Sequence, residues 1–195
     1  MNKILPNLFL GDIESATDLE SLTSHNIHHI ISILARDEFL VPIKNHILIK
    51  LHDGHPYTQT QLKTGVDFIK NAIINNEGIL VHCMAGISRS STLIGAYLMK
   101  ESKFTPDQAI NFIRERREIV DPAYFTFQSA IKWVYPSYRL ICTNNGCGKA
   151  WDYREKYEFI NYALQKEDNE NNTPFPMERM PLECTCENPK VTIIS

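Results

Sequence analysis

Cys83 follows the apolar run Ile79-Leu80-Val81 and precedes a loop that carries Gly86, Arg89 and Ser90. A strand, a cysteine, a glycine-containing loop, an arginine and then a helix make an arrangement with a definite chemistry. A loop that enters a helix N-terminus turns successive backbone N–H groups inward, and with the helix dipole these cradle a tetrahedral dianion. The residues expected to line that cradle are His82, Met84, Ala85, Gly86, Ile87, Ser88 and Arg89. Arg89 adds a planar fork that grips two oxygens at once, which the point charge of a lysine does not. The same field favours the thiolate, the reactive form of cysteine. Cys83 is therefore the expected nucleophile, attacking phosphorus to give a phosphocysteine that water cleaves in a second step. Ser90 is placed to donate to the sulfur as it leaves. A lone cysteine after an apolar strand is more often a small buried hydrophobe. The spacing to Gly86 and Arg89 argues against that here.

An alkoxide or phenolate leaving group needs a proton, so a general acid is required near the rim. Asp53 begins the loop after the apolar run Ile47 to Leu51. Loops at the C-terminal ends of parallel strands converge on one face, where the Cys83 loop also lies. Asp53 is thus the expected acid, and later the base that activates water. It could instead be a plain Asp-Gly turn residue. Asp37 and Asp67 are weaker rivals, the first after an earlier strand and the second within a helix. His52 and His55 flank Asp53 and read as exposed loop histidines. The run Arg114 to Glu118 reads as a solvated helix face with paired charges.

Four further cysteines lie in the last third of the chain. Cys142-x4-Cys147 and Cys184-x-Cys186 offer four thiolates, the number a tetrahedral structural zinc requires, and no histidine follows His82. A zinc site on Cys142, Cys147, Cys184 and Cys186 is expected, although the pairs are spaced unlike the usual Cys-x2-Cys. The alternatives are scattered free thiols, or thiols that protect Cys83 by disulfide exchange.

The elements that must position these groups alternate. Leu8 to Gly11, His29 to Ile33, Ile47 to Leu51 and Ile79 to Val81 read as strands. Helices are expected near Thr17 to His25, from Thr60 through Ile73 with Gly78 as stop, from Ser90 to Lys100, after the capping box Thr105-Pro106-Asp107-Gln108, and from Tyr124 to Trp133. This order predicts an α/β fold with a central, mostly parallel sheet flanked by helices over residues 1–136. Residues 137–195 form a small Cys-rich unit, with 166–173 as a polar loop.

The chain has 195 residues and a net charge of -3, which gives no global attraction to nucleic acid or acidic lipid. Its start, Met1 to Pro6, is too short in apolar residues for a signal peptide. No run is long enough to span a bilayer. Five cysteines, an odd number, suit a reducing compartment. A cytoplasmic location is expected, with the nucleus as a second candidate.

His82-Cys83 to Ser90 matches HCxxGxxR(S/T), the signature of protein tyrosine phosphatases. The fuller HCxAGxSRS, with Ala96-Tyr97-Leu98-Met99 behind it, resembles the dual-specificity branch. The opening Ile4-x-Pro6-x-Leu8-Phe9-Leu10-Gly11, Asp53 about 30 residues before the cysteine, and Asp121-Pro122 before a helix are similar to that branch too. The resemblance runs from Ile4 to Trp133. It implies Cys83 as nucleophile, Arg89 on phosphate, Asp53 as acid and base, Ser90 assisting the sulfur, and His82 orienting the loop and tuning the thiol. It implies no cofactor for catalysis. The substrate class it implies is phosphoprotein, carrying phosphotyrosine, phosphoserine or phosphothreonine in a shallow pocket. Ala123 departs from the family, which commonly has Asn after the proline, so a hydrogen bond supporting the loop is expected to be lost or replaced. Met84, Ala85 and Ile87 are apolar where phosphoinositide phosphatases tend to place lysines, which disfavours inositol head groups and RNA 5′-triphosphates. Some members carry a C-terminal zinc domain linked to ribosome assembly, so docking on a pre-ribosomal particle is an expectation by analogy alone. The rival from another class is a docking module that uses the phosphatase fold and zinc tail to hold a phosphoprotein or a ribosomal particle.

Overall fold

Ile79, Leu80 and Val81 are completely buried, as a wholly apolar strand covered on both faces must be. They belong to β5 (Gly78–His82). The computed structural model describes residues 1–36, 43, 45–135, 139–142, 150–152 and 191–194. Before β5 come β1 (Asn2–Leu5), β2 (Leu8–Gly11), α1 (Leu19–Ser24), β3 (Ile27–Leu34), β4 (Asn45–Lys50) and α2 (Gln59–Ile74); after it come α3 (Arg89–Glu101), α4 (Pro106–Arg114) and α5 (Tyr124–Val134). The sheet runs β1-β2-β5-β3-β4. β2, β5, β3 and β4 are mutually parallel, and β1 is an antiparallel edge paired to β2. The fold is the expected mostly parallel sheet flanked by helices, made mixed by the antiparallel β1.

The sheet positions the site through β5. Placing the strand that leads into Cys83 between β2 and β3 surrounds its C-terminal end with the loops of both neighbours. α3 then leaves the site, and every residue from Arg89 to Met99 in it is buried. Its neighbours α2 and α4 each begin with a complete capping box, Thr58 with Gln61 and Thr105 with Gln108, and Pro106 occupies the first helical position. These caps satisfy N–H groups that the helix itself leaves open.

Three expectations need correction. β1 was not anticipated, because Asn2 and Lys3 break the apolar pattern; Asn7, at φ 65, makes the turn to β2. Gly78 is not the stop of α2. Asn75 caps that helix and Asn76, at φ 57, turns the chain. Gly78 opens β5, where a Cβ would lie 2.3 Å from the Asn26 carbonyl oxygen, so two backbones meet there. The run Arg114 to Glu118 is not a helix face, since α4 ends at Arg114.

The chain divides into Met1–Val134, holding all the elements above, and Tyr135–Ser195. The second unit contains β6 (Arg139–Cys142), β7 (Ala150–Asp152) and β8 (Val191–Ile194), antiparallel in the order β7-β6-β8. The polar loop expected at 166–173 lies outside the described residues. Among the described residues no helix is long and apolar enough to cross a membrane.

Candidate active site

Six consecutive carbonyls, from Cys83 to Ser88, each meet a hydrogen-bond donor. His82 Nδ1 lies 3.2 Å from the Cys83 oxygen. The Ile13 N–H donates to Met84 at 3.1 Å. Arg117 donates from Nη2 to Ala85 at 3.1 Å and from Nε to Gly86 at 3.0 Å. The Asp121 N–H reaches Ile87 at 3.2 Å, and the Thr92 N–H reaches Ser88 at 2.9 Å. Among the described residues no peptide bond is cis, so each C=O that faces outward directs the following N–H to the opposite side of its peptide. The N–H groups of residues 84 to 89 are thereby turned toward the interior of the loop. Gly86 sits at φ +67, and a Cβ there would lie 2.5 Å from the Gly11 carbonyl oxygen. Only glycine fits that turn.

Cys83 is 2% exposed at the start of this loop. The Ser90 hydroxyl donates to its sulfur at 3.2 Å. Burial alone would push the thiol up. The Ser90 hydroxyl and N–H, the Arg89 charge and the Gly86 N–H outweigh it, and the thiol is held below its ordinary range. Arg89 is buried, with Nη1 donating to the Leu51 carbonyl at 3.2 Å. Its Nε lies 3.3 Å from Asp53 Oδ1, yet that N–H has no hydrogen-bond partner. The two residues form an ion pair whose N–H is not aimed at the carboxylate. A buried, unmet guanidinium N–H at the loop is the condition an incoming oxyanion would relieve. The Asp53 side chain is 68% exposed and lines a cavity of about 550 Å³ with Ile13, Leu34, Ala35, Arg36, Met84 and Arg89.

Residues 8–132 match the family of the dual specificity phosphatase catalytic domain. The chain belongs to that family. It is 37% identical over 123 residues to dual specificity protein phosphatase 22 of Xenopus tropicalis, covering 63% of this chain and 59% of the relative. It is 34% identical over 124 residues to tyrosine-protein phosphatase yvh1 of Schizosaccharomyces pombe, covering 63% of this chain and 38% of that one. The chain thus spans about three fifths of the length of the first of these and less of the second. Among solved structures it is similar to the human tyrosine phosphatase-like serine/threonine/tyrosine-interacting protein, with TM-score 0.64 and 26% identity over 70% of this chain and 98% of that one.

Within this dual-specificity phosphatase domain, Cys83, Arg89, Ser90 and Asp53 are brought together, and the His82 ring reaches the Cys83 carbonyl. Asp67 lies on α2 paired with Lys63, away from the site. Asp37 lies outside the described residues. His52 and His55 are exposed, with ring centroids 5.5 Å apart. At Ala123 the main chain supports the loop, its N–H donating to Ser88 Oγ at 2.9 Å. That bond is made by the main chain and asks nothing of the side chain. Cys142 lies on β6, and Cys147, Cys184 and Cys186 lie outside the described residues.

Two site residues were missed in the sequence. Arg117 holds two loop carbonyls, and it is itself held by Asn2 Oδ1 at 2.7 Å and Asp12 Oδ2 at 3.3 Å. Burial would push Asp12 up, but the Ser15 hydroxyl and N–H and the Arg117 charge hold its carboxyl at about 2. Tyr57 is buried; its hydroxyl donates to the Arg89 carbonyl at 2.8 Å, and its N–H donates to Ser129 at 2.9 Å. It fastens the loop that carries Asp53 to α3 and α5. Neither residue stands in a pattern that distinguishes it from other surface arginines and core tyrosines.

Proposed function

We propose that the chain is a protein phosphatase that removes phosphate from phosphotyrosine and from phosphoserine or phosphothreonine through a phosphocysteine on Cys83. The loop of outward carbonyls around a lowered thiol carries this reading. The N–H groups of residues 84–89 and Arg89 would bind the phosphoryl oxygens. The Cys83 sulfur forms the S–P bond as the P–O bond to the substrate breaks, and Asp53 gives its proton to the departing oxygen. Asp53 then takes a proton from water as water oxygen bonds to phosphorus. The S–P bond breaks, and Ser90 donates to the thiolate that leaves. The apolar cavity walls Ile13, Leu34, Ala35 and Met84 suit an aromatic ring, so phosphotyrosine is the favoured substrate among the three.

A phosphatase-like fold is also compatible with a protein that only docks. The retained Cys83 with its Ser90 hydrogen bond favours catalysis. The deciding experiment is hydrolysis of an aryl phosphate in the presence of a chelator. The native chain should turn it over, Cys83→Ser should not, and Asp53→Ala should slow turnover about a hundredfold or more while still retaining phosphoprotein. Full activity in Cys83→Ser would overturn the mechanism.

For the tail we propose a structural zinc on Cys142, Cys147, Cys184 and Cys186. Its support is the register of the small sheet. Ala150 pairs with Ile141, and Val191 pairs with Cys142, so β7 and β8 both begin at the end of β6 where Cys142 stands. Cys147 precedes β7 by three residues and Cys186 precedes β8 by five. The cysteine usage supports the cytoplasm, with the nucleus beside it, as the proposed compartment.

A further inference from the structure

Three polar side chains on three adjacent strands form a hydrogen-bonded line that ends on the phosphate loop. Ser32 on β3 stands opposite His82 on β5, and His46 on β4 stands opposite Ile30, two residues before Ser32 on the same face. His46 Nε2 lies 2.9 Å from Ser32 Oγ. Ser32 Oγ lies 2.5 Å from His82 Nε2, and His82 Nδ1 lies 3.2 Å from the Cys83 carbonyl oxygen. Ser32 and His82 are fully buried.

The polarity of the line follows from its end. A carbonyl only accepts, so His82 Nδ1 carries the proton. Burial lowers the His82 pKa to about 4, so its imidazole is neutral near pH 7 and Nε2 accepts through its lone pair. Ser32 gives its one proton to that lone pair, and its oxygen is left to accept from His46 Nε2–H. A serine hydroxyl otherwise rotates to suit its surroundings. A donor fixed on its oxygen turns the proton toward His82.

We propose that His46 is a positioning residue of the phosphate loop, acting through Ser32 and His82 to hold the Cys83 carbonyl outward and hence the Met84 N–H inward toward the bound oxyanion. The functional consequence rests on the phosphatase reading above. Protonating His46 at Nδ1 leaves its Nε2–H in place, so the line keeps its polarity in either state of that ring. The ionisable groups that act on its inner end are Asp12 and His46 on His82, and Arg89 and Tyr57 on the adjoining Cys83 thiol.

Two measurements test this. Imidazole ¹⁵N resonances of the native chain at neutral pH should show His82 protonated on Nδ1 and His46 on Nε2. Inhibition by vanadate, a phosphate-like oxyanion, should weaken about five- to tenfold in His46→Phe and in Ser32→Ala, the equivalent of one lost hydrogen bond. The double variant should be no worse than Ser32→Ala, because His46 acts through that hydroxyl. His46→Gln, whose amide N–H takes the place of Nε2–H, should keep near-native affinity. A His82 proton on Nε2, unchanged vanadate affinity in a folded His46→Phe, or multiplying effects in the double variant would each overturn the proposal. Should His46→Phe fail to fold, the resonances of the native chain decide. A chain with these tautomers and vanadate affinities but no turnover would overturn the phosphatase reading and leave this one standing.

Discussion

At Cys83, burial opposes the thiolate, and directed donors outweigh it. The Ser90 hydroxyl is the largest of the groups that lower the thiol pKa. Removing it in Ser90→Ala should move the pH midpoint for alkylation of Cys83 by iodoacetate upward. The sign follows from the thiolate being the species above the midpoint: a weaker acid is less ionised at any fixed pH, so alkylation near pH 6 should slow. A second expected effect is a slower breakdown of the phosphocysteine, seen as a burst of leaving group before steady state. At this scale the sequence was highly legible. Cys83, Arg89 and Ser90 act within one loop and one helical turn, so their spacing along the chain is nearly their spacing in space. Asp53 is legible for a different reason, since it lies in the loop after β4, and loops at the C-terminal ends of parallel strands converge on one face. Arg117 was not legible. Its contacts lie 31 and 32 residues away on Gly86 and Ala85, and it stood among other charges in a run that read as solvent-facing.

At the scale of elements, the phosphate loop is held by what surrounds it. Arg117 is the largest single brace, with two bonds to the loop and two more to Asn2 and Asp12. Arg117→Ala should lower kcat/KM at least tenfold and reduce the melting temperature, because it strands two carbonyls and the partly buried Asp12. Arg117→Lys should recover little, as a lysine cannot supply the fork. The strand that ends at the loop also carries a pH signature. His82 titrates near 4 in the fold, against about 6.5 for an unfolded imidazole. Between those values the unfolded chain takes up a proton that the native one refuses, so stability should rise with pH across that window. Urea midpoints at pH 5, 6 and 7 should climb, and His82→Phe should flatten the climb. The elements themselves were readable where capping boxes and apolar runs mark them, as at Thr105 and Ile79. β1 was not, because an edge strand with polar residues is specified by pairing with β2 rather than by its own pattern.

At the scale of the whole molecule, the catalytic elements and the family match both fall before Tyr135. A fragment of residues 1–136 should therefore hydrolyse an aryl phosphate at a rate within about threefold of the full chain, a margin of roughly 0.6 kcal/mol. Metal analysis of the full chain should find about one zinc, absent from that fragment. A metal-free full chain with a folded tail would refute the zinc. The tail's four cysteines were legible as a group, but their arrangement was not, since the pairs are separated by 36 residues between Cys147 and Cys184. The bonds of Arg117, Asp121 and Ala123 to the loop have one more consequence, in the order of manufacture. A chain made from its N-terminus delivers Cys83 34 residues before Arg117 and 40 before Ala123. Until that later stretch has emerged and closed back on Asn2, Asp12 and Ser88, the carbonyls of Ala85, Gly86 and Ile87 lack their donors. On a nascent chain the loop around Cys83 is then only half braced, and it takes its final shape once the segment far downstream has been synthesised.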